Sequence, residues 1–549
     1  MSLDHQQLRQ ALYDKFPANT NLLAGHVRYQ SQGHVLLIGP EDLCRLACQF
    51  LPDPSSLTIL VNQATKNDDL PRLELAMQVS QGVSVYYDKL VKVNGFLGQF
   101  KVDVEHQGQS VSLAPMAVEN AHFDIVMDLG QIPTLAQALP PPGYFYLADS
   151  EQDLQQVAAS ISDYIGVIEK PRYVEINPAL CAHSRNDLLG CSRCLDVCSA
   201  DAISIKNLKI EINQHVCHGS GECTSICPTG AIAYQQPQPL SMLQHVREII
   251  ANYYQQGKSK PMVVFYDDSV NLAQKLSTLA QHVLPFTMEE IGALAIEHML
   301  ATLALGAEQV VVICHSRDSE SLLRENVAFA NSLLEHLGYQ ASIHIYVDDN
   351  VLLHPVLRED LFPNSQFTHV PLASFGALNK RELFYAALDH LNQFGSQCAD
   401  VIALNNAPYG TIEVDTSGCT LCMACVSACP TAALQAEMEQ PILRFHEQAC
   451  VQCHLCEQSC PEKVINLKSQ INLAADNRNR AQIIKQEQPF HCIRCNEAFA
   501  TTSMVERMMQ MLSTHSAFAA NPKRLQMCAD CRVKDMVVEV IDDPNKQLR

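Results

Sequence analysis

Hydrophobic positions in residues 1–165 fall in short runs between polar turns: HVLLIG, LTILV, VSVYY, GQFKVDVE and FDIVMDL. Brief runs rich in Val, Ile and Leu predict strands. EDLCRLACQFL, after the first run, carries its apolar residues at helical spacing and predicts a helix. Together these predict an α/β layer domain. Residues 239–404 read the same way. PMVVFYDD, QVVVICHSRDSE and ASIHIYVDD predict parallel strands, with EEIGALAIEHMLATLALG and SESLLRENVAFANSLLEHLG as helices. GPEDL after the first N-terminal strand is not a glycine-rich phosphate loop, so no dinucleotide site is expected there. Cys314, His315, Ser316 and Arg317 stand at a strand end, where open sheets bind ligands. Ser319 as an N-cap and Cys314 as core packing explain that stretch without a ligand. PPPGYF, Pro140 to Phe145, predicts a rigid exposed turn.

The 549 residues suggest roughly three to five domains. The formal charge of −21 (38 basic against 59 acidic residues) argues against a nucleic-acid partner and against a basic membrane-docking face. The most apolar window, IGALAIEHMLATLALGAEQVVVIC, carries Glu297, His298 and Glu308, so no membrane insertion is expected. The N-terminus shows no basic-then-apolar leader, which predicts a cytoplasmic, reducing location. In that setting 23 cysteines are expected to bind metal rather than pair.

Their spacing sharpens this. Cys419, Cys422, Cys425 and Cys429 form C-x2-C-x2-C-x3-C followed by Pro430; Cys450, Cys453, Cys456 and Cys460 repeat it before Pro461. This is the bacterial two-cluster ferredoxin run, whose fourth cysteine serves the other cluster. The expected ligand sets are crossed: Cys419, Cys422, Cys425 and Cys460 on one cluster, and Cys450, Cys453, Cys456 and Cys429 on the other. A pair of zinc sites is the alternative, disfavoured by two complete runs each ending in Cys-Pro. Cys191, Cys194 and Cys198 keep the later gaps of the run, with Cys181 displaced by an insertion, AHSRNDLLG. CHGSGECTSICPTG is a fourth copy, with Cys217, Cys223 and Cys227 but Ser220 where a cysteine is due. Each loop is followed by a short apolar segment (ADAISI, TGAIAY, TAALQA, EKVINL), marking an internal repeat.

Crossed ligation gives Cys181, Cys191, Cys194 and Cys227 to one cluster and only Cys217, Cys223 and Cys198 to its neighbour. That site holds 3Fe–4S, or 4Fe–4S with Ser220, His218 or solvent on the fourth iron, or nothing; the ligand pattern favours a three-cysteine cluster. The cofactor expectation is thus three to four iron–sulfur clusters. In the tail, Cys492 and Cys495 with Cys528 and Cys531 make two C-x2-C knuckles suited to one structural zinc, with a rubredoxin-type iron site as the alternative. SMVERMMQMLSTHSAF between them predicts a core helix. Cys44, Cys48 and Cys398 are expected to be buried small apolar residues.

CAHSRNDLLGCSRCLDVC, CTSICPTGAI and the tail HCIRCNEAF…SMVERMMQML…MCADCRV resemble the large soluble 4Fe–4S dicluster proteins associated with bacterial formate dehydrogenase systems. The chain departs from them at Ser220 and at Ser199, where relatives carry Cys and Pro. VNGFLGQFKVDV and FDIVMDL are loosely similar to the flavin-bearing subunit of heterodisulfide reductases, whose flavin fingerprint is absent here, so no flavin is expected. LALGAEQVVVICHSRD is distantly similar to the small electron-transfer subunit of methyl-viologen-reducing hydrogenase. The resemblance implies electron transfer to or from a larger oxidoreductase, formate dehydrogenase being the candidate.

The expected architecture is therefore multidomain α/β plus α+β. It comprises an α/β domain (1–165), a first dicluster ferredoxin module (166–238, repeats about 180–207 and 208–237) and a second α/β domain (239–404). A second module (405–475, repeats about 410–439 and 441–470) and a four-cysteine tail (476–549) follow. The function expected is that of an electron carrier or oxidoreductase subunit rather than a stand-alone enzyme. A flavin- or nucleotide-binding oxidoreductase subunit, and an assembly or docking factor with structural clusters, stay open as alternatives.

Overall fold

The computed structural model describes residues 5–16, 25–51, 54–63, 70–147, 151–258, 260–267, 279–314, 320–347, 372, 375–376, 378–396, 400–437, 440–516 and 518–542. The stretch from His315 to Ser319, and Cys398, lie outside them.

The N-terminal sheet is parallel, in the order Ser84–Tyr86, Ser56–Gln63, His34–Pro40, Ile125–Asp128, Tyr144–Tyr146. Its central strands are buried on both faces, as parallel sheets require, and separate hydrophobic clusters cover the two sides. GQFKVDVE does not join it. Lys101–His106 lies in a small antiparallel sheet with Lys89–Asn94 and Gln109–Ser112. PPPGYF ends inside the main sheet: Tyr144 is buried and its strand forms the edge.

The second parallel sheet runs Val283–Met288, Met262–Asp267, Gln309–Cys314, Ile343–Val347. Val283–Met288 escapes a periodicity reading because Pro285 interrupts it; proline is tolerated there because the strand is at the edge. The helix His5–Lys15 packs on this edge, with Arg9 Nη1 donating to Ala280 O (2.6 Å) and Tyr13 Oη to Pro285 O (2.7 Å). Cys314 and Cys44 are fully buried and Cys48 is partly buried.

The cysteine-rich segments each form two antiparallel pairs and two short helical turns. In the first, Val174–Ile176 pairs with Ile232–Tyr234, and Ile203–Lys206 with Lys209–Ile212. In the second, Gly410–Val414 pairs with Ile465–Asn472, and Leu434–Ala436 with Ile442–Phe445. The first shares a continuous core with the second α/β domain, through Val174, Tyr234, Val246, Leu300 and Phe384. The second has its own core around Leu421, Leu443 and Ile465. Gln482–Gln486 adds a strand to it, tying on the tail. In the tail helix Thr502–Leu512 only Val505 is buried, so the methionine-rich segment is largely a surface helix rather than core.

Candidate metal centres

The loops that follow Cys217, Cys419 and Cys450 share one backbone conformation. The residues two and four beyond these cysteines have positive φ: Gly219 and Gly221 (89° and 87°), Leu421 and Met423 (52° and 61°), Gln452 and His454 (53° and 64°). Ser220 therefore occupies the backbone position of Cys422 and Cys453. Glycine in this loop answers to packing as well as to dihedral. A Cβ on Gly219 would come 2.4 Å from Cγ of Tyr173, and one on Gly221 2.6 Å from the Ala293 nitrogen. The second α/β domain thus presses on the serine-bearing loop, where the full-length side chains of the other loops would clash.

The first loop reaches the same end differently. Its insertion folds as a hairpin, Ser184–Arg185 against Leu188–Leu189, and the Cys191 N–H bonds Ala182 O at 3.0 Å. Cys181 and Cys191 are thereby brought together across ten positions of chain. His183, buried, joins the same turn through Nδ1 to Cys191 O (2.9 Å).

Burial raises the pKa of the thiols, and the neighbours that raise each further identify the groups. Cys194, pushed up to about 12, has Cys227, Cys191 and Cys181 beside it. Cys223 has Cys217 and Cys198. Cys425, also at about 12, has Cys422, Cys419 and Cys460. Cys456 has Cys450, Cys453 and Cys429. Each gathering draws its fourth (or, around Cys217, its third) thiol from the sister loop. Backbone N–H groups two residues on oppose the rise, donated by His183 to Cys181, Gly219 to Cys217, Leu421 to Cys419 and Gln452 to Cys450. Converging buried thiols with N–H groups aimed at sulfur fit a soft, thiolate-bound metal cluster, since bare thiolates at this density would repel.

The four gatherings stand in a row. The Cys198–Cys217–Cys223 group meets the next through Cys194 beside Cys223, and that group meets the second module through Cys191 beside Cys453. The last step is Cys425 beside Cys456. The junction between modules is close-packed: Gln458 Nε2 donates to Leu189 O (3.0 Å), and Gly190 leaves no room for a side chain. A Cβ there would lie 2.7 Å from Ala182 O, 2.9 Å from Cγ of Leu455 and 3.0 Å from Cys453 O. Gly190→Ala is expected to cost about 1–3 kcal/mol as overpacking, read as a lowered denaturant midpoint for the full chain.

Three cations that sequence reasoning missed hold the loops from outside. Lys170 Nζ bonds Cys217 O (2.6 Å), Lys485 Nζ bonds Cys419 O, and Arg381 Nη2 bonds Cys450 O. Burial lowers the pKa of Lys170 to about 8, with Cys217 acting against it. Each cation caps the first cysteine of its loop and lies far from it in sequence, so no local motif announces it.

In the tail the sulfurs of Cys492, Cys495, Cys528 and Cys531 all lie within 4.8 Å of one another, and Cys495 Sγ is 3.7 Å from Cys528 Sγ. A tetrahedron with about 2.3 Å metal–sulfur bonds needs sulfurs about 3.8 Å apart, so the set fits one four-thiolate ion. Burial raises the Cys492 thiol, but N–H groups of Cys495, Cys528 and Arg494 outweigh it and hold it at about 6. The tail clamps the neighbouring loop, Thr501 Oγ1 donating to Thr420 O at 2.7 Å.

Among the described residues no helix is long and apolar enough to cross a membrane. The family model of the 4Fe-4S dicluster domain matches residues 189–231 and 418–464. The chain thus contains two ferredoxin-type iron–sulfur domains, amid mixed α/β structure and a C-terminal four-cysteine group. No curated protein matches it. Among solved structures, Mycobacterium tuberculosis folylpolyglutamate synthase complexed with ADP and AMPPCP is similar at 10% identity, over 58% of this chain. That match spans 62% of the synthase's length with a TM-score of 0.11, too low to carry any argument.

Proposed function

We propose that the chain is an iron–sulfur electron carrier with four cluster sites in line. Cys217, Cys223 and Cys198 bind the first, with Ser220 at the fourth position. Cys181, Cys191, Cys194 and Cys227 bind the second; Cys450, Cys453, Cys456 and Cys429 the third; and Cys419, Cys422, Cys425 and Cys460 the fourth. Clusters of this kind supply one-electron storage at potentials set by hydrogen bonds to sulfur, local charge and burial. The observation that carries the reading is the unbroken row of thiol groups across both modules. The chain's own part is to fix that order, to donate N–H groups to sulfur, and to set Lys170, Arg381 and Lys485 against the cluster loops. Cys422 is the exposed thiol among the four groups, so the fourth site is the natural exit toward a partner. The tail ion is zinc, with a structural role. The partner is a larger oxidoreductase, a formate dehydrogenase by the resemblance of the cysteine-rich stretches, and the setting is cytoplasmic.

Full-length protein isolated without air should carry about fifteen or sixteen iron atoms with labile sulfide and accept electrons from a low-potential donor. Oxidised, it should show a 3Fe–4S spin-resonance signal, which Ser220→Cys abolishes by completing the set. A colourless chain without labile sulfide rejects the whole reading; about sixteen iron atoms without that signal reject the three-iron site alone.

A further inference from the structure

A cavity of about 420 Å³ opens beside Cys227, between the first cysteine module and the second α/β domain. Its volume is that of a small-molecule site. Its wall includes Arg193, Glu297, Asn326, Phe329, Lys380 and Tyr409. Two features distinguish it from a packing gap. The first is a buried carboxylate: Glu297 is 2% exposed, and its Oε1 faces Lys380 Nζ at 3.5 Å and His298 Nε2 at 3.8 Å. Its Oε2 has no hydrogen-bond partner among the described residues, and neither has the buried Nδ2 of Asn326. The wall thus offers one unused acceptor and one unused donor. The second is a flat aromatic flank: Phe329 and Tyr409 lie 6.0 Å apart, and Tyr409 stacks on Phe384 at 4.4 Å.

Lys380 fixes the carboxylate. It also donates to Thr224 O and Ser225 O at 2.6 Å each, on the helical turn that leads into Cys227. The cavity is thereby tied to the cysteine loop by the residue that orients its acceptor. Arg193 stands at the wall with one nitrogen on Asn406 O (2.8 Å), one residue from Cys194.

We propose that this cavity binds a flat nitrogen heteroaromatic ring presenting an N–H and a carbonyl on one edge, the N–H to Glu297 and the carbonyl to Asn326, against the Phe329 and Tyr409 rings. A buried acceptor and donor select such a ring over an apolar one, because a ring lacking these groups leaves both wall atoms unpaired. Flavins and pterins both present this edge. The site lies apart from the sheet edges where a nucleotide fold binds its ligand. It rests on the electron-carrier reading only for its purpose, since a ring here sits beside a cluster ligand.

Riboflavin and biopterin are both fluorescent, so each can be titrated into the anaerobic full-length protein and its quenching followed, with iron and labile sulfide measured on the same sample. Saturable one-to-one binding of one ring is expected, and which ring binds names the source. Asn326→Leu, at a partly exposed position, should weaken it about tenfold, and Glu297→Gln by a similar factor, both with iron per chain unchanged. The proposal is overturned if neither ring binds below about 1 mM, the weakest range of specific affinity, or if both variants bind as the parent does. Ring binding by a preparation devoid of labile sulfide would leave the cavity assignment standing and reject the carrier function.

Discussion

Replacing Cys429 and Cys450 together by serine is expected to remove no more iron than replacing either alone, about four atoms per chain. Cys429 closes the loop of Cys419, Cys422 and Cys425 in sequence, yet its thiol lies with Cys450, Cys453 and Cys456. The two serines therefore strike one site. By contrast, Cys429→Ser combined with Cys460→Ser should strip both sites of the second module and remove about eight atoms, because Cys460 lies with Cys419 and Cys425. Neighbours that act as a unit are non-additive, whereas independent sites add. Iron and labile sulfide counts on the three anaerobic preparations decide it. Additive loss in the first pair, or shared loss in the second, would mean that each loop closes on itself.

Withdrawing the tail metal is expected to have the largest effect on folding. Four-thiolate zinc sites bind with about 10–16 kcal/mol of apparent free energy, and in small domains that energy is folding energy. Here the tail core consists of Cys492, Met527, Cys528 and Cys531 with Phe499 packed against it, so the ligands are themselves most of the buried apolar surface. The helix Ala529–Asp542 begins at the second knuckle and exposes Val533, Val537 and Ile541. It has little else to hold it. Cys528→Ser, or a strong chelator, should abolish amide protection in the two tail helices. The neighbouring fourth cluster site should become labile as well, since Thr501 and Lys485 hold the carbonyls of Thr420 and Cys419. Hydrogen exchange with zinc analysis measures this. Unchanged protection after the metal has gone would show that the tail stands without it.

Both parallel sheets were legible from runs of Val, Ile and Leu, because a strand buried on both faces leaves a local signature. The edge strand Val283–Met288 was not, since Pro285 breaks the pattern and is acceptable only at an edge, which is a property of neighbours. GQFKVDVE was legible as a strand but not as a member of a separate antiparallel sheet, for the same reason. The methionine-rich tail helix has the spacing of a core helix, but the chain supplies too little apolar surface to cover it.

The sequence by itself determined which thiols could act together. Spacing within each loop, repetition and the Cys-Pro endings identify four loops and one deficient position without any coordinates, because a tight turn places residues two and four apart in a fixed relation. The tertiary structure alone decided the order in which the four groups stand and the docking at Gly190. It alone placed Lys170, Arg381 and Lys485 on the loops and opened the cavity beside Cys227. These depend on residues tens to hundreds of positions apart coming into contact. Such contacts follow from how the modules pack on the α/β domains, and no local spacing encodes them.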